Sequence, residues 1–194
     1  MISLTNKNRK LFFTIFFLII NFNVHSIEIK PIASINSNLI TSYDLYIEIE
    51  TLSIISGRKI QINEHRDIIS KIIDEKIKEL ETKNINIERN KDQIERRYNS
   101  VINKLPIEIP HIEEIKSNIK QKIVNSVKWN TLILGTFRNK LEINSKEVDE
   151  MMKNQNIDNK NIEEIIISQK NKKLNAISKK YFNELKRKYY IKYF

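Results

Sequence analysis

Ile32-Ala33-Ser34-Ile35-Asn36-Ser37-Asn38-Leu39-Ile40-Thr41-Ser42-Tyr43-Asp44-Leu45 places a short β-hairpin directly ahead of a helix. Ile32 to Ile35 and Leu39-Ile40 are β-prone runs, and Asn36-Ser37-Asn38 between them tolerates turn geometry. Thr41 then stands as the N-cap of a helix. Asp44, three residues on, is favourably placed against the positive end of the helix dipole. The hairpin is brief, and nearly everything after it repeats its apolar residues at spacings of three and four. With only two glycines and three prolines in 194 residues, that periodicity predicts a mainly α fold.

Working outward, the first helix carries Leu45, Ile49, Leu52 and Ile55 on one face and ends at Gly57. Glycine takes the left-handed C′ conformation without strain. A second helix, from about Glu64 to Lys83, has the stripe Ile68, Ile69, Ile72, Ile73, Ile77 and Leu80. Its Asp74 and Glu75 are interleaved with Lys71, Lys78 and Glu79, so they read as a solvated face rather than an acid–base pair. The third helix, Arg89 to Asn103, is more polar, with a thin seam of Ile94, Tyr98, Val101 and Ile102. Pro106 and Pro110 keep Leu105 to Pro110 out of helix.

The longest helix is predicted over Ile112 to Leu141. Ile112, Ile115, Ile119 and Ile123 form a narrow stripe. From Val127 the apolar surface widens through Trp129, Leu132, Ile133, Leu134 and Phe137, which predicts burial on several sides. Gly135 inside this run costs about 1 kcal/mol relative to alanine, and close approach of another backbone would explain it. Asn144 with Glu147 begins a short helix to about Met152. A polar link, Lys153 to Lys160, leads to a final helix from about Asn161 to Lys188. Its apolar set is Ile165, Ile166, Leu174, Ile177, Tyr181, Phe182, Leu185 and Tyr189. The aromatic, β-prone residues Tyr189 to Phe194 are expected to add a strand beside the N-terminal hairpin.

Ahead of the hairpin, Leu11 to Ile20 are apolar apart from Thr14 and follow Lys7, Arg9 and Lys10. A basic start, a short apolar stretch and small residues at the exit make a secretory signal, here with cleavage expected after Ser26. A membrane span needs roughly 20 apolar residues, and Asn21 and Asn23 interrupt this run first. The expected location of the mature chain is therefore outside the cytoplasm. Cysteine is absent, which removes disulfides and thiolate metal sites. Glycine is too scarce for a phosphate-cradling loop, no nucleophile–base pair or metal-ligand spacing emerges, and no cofactor is expected. The net charge of +10 is concentrated at the C-terminus, where residues 170–194 hold nine Lys or Arg against the single Glu184. Such a tail suits an acidic partner or an anionic membrane surface, and export makes nucleic acid an unsuitable partner.

The stretch from Ile32 to Leu45 resembles the opening of SurA-type periplasmic chaperones: a short strand, an Asn-containing turn, and a helix begun by Thr and Asp. Ile72-Ile73-Asp74-Glu75-Lys76-Ile77 resembles the Leu-Ile-Asp-Glu-Lys-Leu pattern of that family's second helix. Phe137-Arg138-Asn139-Lys140-Leu141-Glu142-Ile143, with Ser145, Glu147 and Val148 after it, is similar to the end of its long helix and the next short one. Lys179-Lys180-Tyr181-Phe182 through Arg187-Lys188-Tyr189-Tyr190-Ile191-Lys192 resembles the family's last helix and terminal strand.

The resemblance implies a division into a signal peptide (1–26), a helical chaperone domain (27–152), a short link (153–160) and a C-terminal helix and strand completing the same domain (161–194). The family normally carries parvulin-type prolyl isomerase domains before its last helix. Eight residues, Lys153 to Lys160, cannot hold a domain, which takes roughly 50 residues or more. His25, His65 and His111 lie in unrelated segments, so no isomerase activity is expected.

What the resemblance implies about function is an ATP-independent periplasmic holdase for unfolded outer-membrane proteins on their way to the barrel assembly machinery. Candidate client contacts are Tyr46 and Ile49 on the first helix, Trp129 and Phe137 on the long helix, and Tyr181 and Leu185 on the last. Plain core packing is the competing role for each. Two other readings stand beside the holdase. One is an adaptor or structural module of the cell envelope. The other is a protein held at the membrane surface by an uncleaved N-terminus and the basic tail.

Overall fold

Asn36 turns the chain back on itself at a φ of +52°, a conformation Asn tolerates better than most residues. It joins β1 (Pro31–Ile35) to β2 (Asn38–Thr41) in a computed structural model that describes residues 28–106, 109–142 and 162–194. The signal-like segment, the short helix expected over 145–152 and the link 153–160 lie outside the described residues. Ala33 pairs with Ile40, Ser34 with Leu39 and Ile35 with Asn38. On the other side of β1 runs β3 (Ile191–Tyr193), antiparallel, with Ile35 opposite Ile191 and Ala33 opposite Tyr193. The Asn36 amide donates to the Tyr190 carbonyl at 2.8 Å, and the Tyr190 amide donates to Asn36 Oδ1 at 3.1 Å. The two described ends of the chain therefore meet in one three-stranded sheet, as the aromatic C-terminus led us to expect.

The remainder is helical: α1 (Ser42–Ser56), α2 (His65–Glu81), α3 (Lys91–Ile102), α4 (Ile112–Phe137) and α5 (Ile162–Lys186). Thr41 caps α1 through a reciprocal pair. The Asp44 amide donates to Thr41 Oγ1 at 3.2 Å, and the Thr41 amide donates to Asp44 Oδ2 at 2.7 Å.

Helix α4 is the axis of the molecule and touches α1, α2, α3 and α5. Its first half, through Ile115, Ile119, Ile123 and Val127, packs with Ile94 of α3 in one core. Its second half, through Trp129 and Ile133, joins Ala33, Ile35 and Ile40 of the sheet, Ile73 and Ile77 of α2, and Leu185 of α5 in another. Polar clamps hold α5 against α2. Lys186 Nζ donates to Asp74 Oδ1 at 2.6 Å, and the Tyr181 and Tyr189 hydroxyls reach Glu81 at 3.4 and 3.3 Å. Burial first, and the Glu81 carboxylate second, push both phenols above the ordinary tyrosine range.

Two expectations are corrected. The enclosed face of α1 is Ile47, Glu48 and Thr51, while Ile55 is 54% exposed. Apolar residues surround α1 almost evenly, so its sequence defines no seam; contact with both α2 and α4 selects the face. Helix α4 ends at Phe137 and passes into a 3-10 turn, Arg138–Lys140, short of Leu141. Its widened end is buried on several sides, against the sheet, α2 and α5, with Leu134 alone of its named residues left 49% exposed.

Gly135 has no close backbone neighbour: a Cβ there would meet nothing within 4 Å. Gly135→Ala is thus expected to stabilise the fold by about 0.5–1 kcal/mol, through helix propensity and a less flexible unfolded chain. Gly57 has equal space but ends α1 at a φ of +65°. Gly57→Ala is expected to destabilise by about 1 kcal/mol, because an L side chain strains there. Urea midpoints of the two variants should move in opposite directions.

Candidate functional site

Where α1, α2, α4 and β2 converge, they leave an open groove of about 630 Å3. Helix α1 follows the hairpin directly at Thr41 and packs on both α2 and α4, which also touch each other, and the groove lies where these surfaces meet β2. The groove has an apolar floor of Leu39, Ile40, Tyr43, Ile47 and Ile72. Its rim carries Asp44, Glu75, Glu79, Glu113 and Glu114 against Lys76 and Lys122, with Glu75, Glu79 and Glu113 paired to Lys78, Lys76 and Lys116.

A polar strut closes the wall between α1 and α4. Glu48 is only 4% exposed. Lys122 Nζ donates to its Oε1 at 2.6 Å, and Asn118 Nδ2 donates to its Oε2 and to Thr51 Oγ1, each at 3.0 Å. The Thr51 hydroxyl donates onward to the Ile47 carbonyl at 2.7 Å, so every member of the network is satisfied. Further along α4, Gln121 Nε2 donates to Asn125 Oδ1 at 3.0 Å.

At the mouth, Glu114 sits in the first turn of α4 beside His111, with Oε1 3.7 Å from His111 Nδ1. The free backbone N–H at that helix start, and then His111 and Tyr43, hold the Glu114 carboxyl below its usual range. Tyr43 moves the other way. Burial, then the Glu114 charge, push its phenol up, and its hydroxyl lies 3.4 Å from Glu114 Oε1. Glu114 therefore stays anionic with Tyr43 as a neutral donor beside it, and carboxylates outnumber ammonium groups around an apolar floor. Such a surface can hold an extended apolar segment carrying basic side chains. Among the described residues, no group of three or more His, Cys, Asp or Glu is placed to hold a metal ion.

The six residues named from the sequence do not assemble here. Trp129 and Leu185 are enclosed in the core, at 5% and 3% exposed, because the far half of α4 is covered by both the sheet and α5. Tyr181 packs on Trp129 at 5.8 Å and on Phe137 at 5.4 Å between ring centres, and both rings are half-buried. Ile49 is half-buried on α1. Tyr46 meets His111 edge-on at 5.6 Å, next to the groove rather than within its lining.

Sequence reasoning missed the groove and its strut. One signal was present: Asn118, Gln121, Lys122 and Asn125 form a polar stripe at helical spacing beside the apolar one. A polar stripe on the most central helix marks either a solvated face or a polar partner, and Glu48 is that partner. The described helices include none long and apolar enough to cross a membrane. No protein-family model matches the chain, and no curated protein is significantly similar to it.

Proposed function

We propose that this protein is an exported, ATP-independent holdase that binds unfolded outer-membrane proteins in the periplasm during their delivery to the barrel assembly machinery. The observation that carries this reading is the open groove, with its apolar floor and a rim where carboxylates outnumber ammonium groups. Chains in transit are extended and have apolar and aromatic side chains exposed. Many weak contacts in a groove retain them without a shaped pocket and without nucleotide. The signal-like N-terminus and the ordered resemblance to SurA-type chaperones support the same reading. In this proposal the shortened chain holds clients and does not isomerise prolines.

The test is suppression of aggregation. A urea-unfolded outer-membrane β-barrel protein is diluted beside residues 27–194, without nucleotide, and light scattering is followed. Near-stoichiometric suppression is expected. Glu75→Lys with Glu113→Lys should weaken binding of a basic, aromatic client peptide about tenfold, since exposed charges contribute under about 1 kcal/mol each. Absence of suppression from a chain that is helical and melts cooperatively would overturn the proposal.

A further inference from the structure

We propose that the outward face of α5, continued by the C-terminal strand, docks on an anionic lipid bilayer. The inference is independent of the groove, which lies against other helices. Helix α5 turns Leu174, Ile177, Tyr181, Phe182 and Leu185 inward. The opposite face exposes Lys172, Lys179 and Lys180 in one stripe, and Arg187, Lys188 and Lys192 extend it beyond the helix. Glu184 is the single carboxylate among residues 170–194.

These cations are not used to hold the fold together. Lys186, on the inner edge of α5, is taken by Asp74 at 2.6 Å. Among the described residues, no carboxylate forms an ion pair with any of the six outward cations. Short side chains at Ala176 and Asn183 leave a shallow depression lined by Lys179, Lys180 and Arg187, three cations against the single carboxylate Glu184. A phosphate-bearing headgroup fits such a place, with the lysine stems beside its glycerol and the charged heads at its oxygens.

Charge alone would suit an acidic polypeptide equally well. The end of the chain decides between them. Tyr190, Tyr193 and Phe194, three to seven residues past Arg187, are 69%, 62% and 60% exposed. The Lys192 ammonium lies 4.5 Å from the Phe194 ring centre. Exposed aromatics next to a basic helical face form the composition of a surface that rests at the headgroup level, where ring and ammonium are both accommodated. A highly acidic polypeptide offers the cations partners but gives these rings nothing.

The full chain has no cysteine, so a single introduced one can carry an environment-sensitive fluorophore. Asn183→Cys places it on the basic stripe, and Asn99→Cys places it on the exposed side of α3 as a control. Vesicles of phosphatidylglycerol with phosphatidylcholine, vesicles of phosphatidylcholine alone, and polyglutamate are the probes. The label at 183 is expected to shift to the blue and brighten on the anionic vesicles only, and to lose that response in high salt. The label at 99 should not respond. Adding Lys179→Glu, Lys180→Glu and Arg187→Glu should lower the apparent vesicle affinity of the 183 label by more than ~100-fold, given the known contribution of each basic residue near such a surface. Because labels report position, contact made only through the N-terminal segment would not mimic the result. Any of four outcomes would overturn the proposal: no response at 183, an equal response on neutral vesicles, an equal response at 99, or a response to polyglutamate alone.

Discussion

Trp129→Ala is expected to destabilise the fold by about 3–5 kcal/mol, the range for removing a large aromatic residue from a packed core. The indole is 5% exposed and sits where α4, α5 and the sheet meet. Its Nε1–H donates to Ser178 Oγ at 2.8 Å, and its ring lies 5.9 Å from Phe182, edge to face. Truncation opens a cavity and removes the main apolar tie between α4 and α5. Trp129→Phe keeps much of the packing and loses the hydrogen bond, and should cost about 1–2 kcal/mol. Urea unfolding followed by far-UV circular dichroism reads both, since Trp129 is the only tryptophan and its fluorescence leaves with it. A tryptophan serving clients from the surface would behave in the opposite way. Its loss would change stability by less than about 0.5 kcal/mol and would reduce client binding directly.

The contrast between Trp129 and Glu48 shows what was legible in the sequence. Local rules placed the hairpin, the Thr41 cap, the Gly57 stop and the α2 stripe, because each depends on residues within a few positions of one another, and β propensity marked the final strand although its partner is over 150 residues away. A strong period on one side, as in α2, leaves no doubt about which face is buried. Helix α1 has apolar residues nearly all round, so its face is chosen by tertiary contact with two neighbours. The pattern Leu45, Ile49, Leu52 and Ile55 accordingly named a half-buried flank, with Ile55 exposed, rather than the enclosed face. The candidate client residues lie outside the groove lining, four of them together in the core, for a related reason. Large apolar residues are what a core and a client-binding surface both need, and residue type does not separate the two uses. The groove itself is lined from three helices and a strand whose residues lie far apart in the chain, about 70 positions for Glu48 and Asn118. Nothing in a short window encodes that separation. The polar stripe of α4 was visible, but its meaning depended on a carboxylate three helices earlier.

Lys122→Met tests that long-range arrangement and carries the second-largest expected effect. Glu48 is almost entirely enclosed, and Lys122 is its only cationic partner among the described residues. Removing the ammonium leaves a buried carboxylate with one neutral donor, Asn118. Breaking a buried pair from one side costs about 3–5 kcal/mol. The Lys122 side chain is about 35% exposed, so water takes up part of its role and the expected loss falls to about 2–3 kcal/mol. Adding Glu48→Gln to Lys122→Met should recover more than half of the loss, because a neutral amide at 48 still accepts from Asn118 and needs no counter-charge. The same pair of variants separates a structural strut from a binding charge. If the strut sets the width of the groove, Lys122→Met weakens client holding, and the double variant restores holding together with stability. If Lys122 instead repels basic clients at the rim, removing it improves holding even as the fold loosens. A single variant within about 0.5 kcal/mol of wild type would mean that Asn118 and solvent suffice for Glu48, and that the width of the groove is set by apolar packing of α1 on α4 alone.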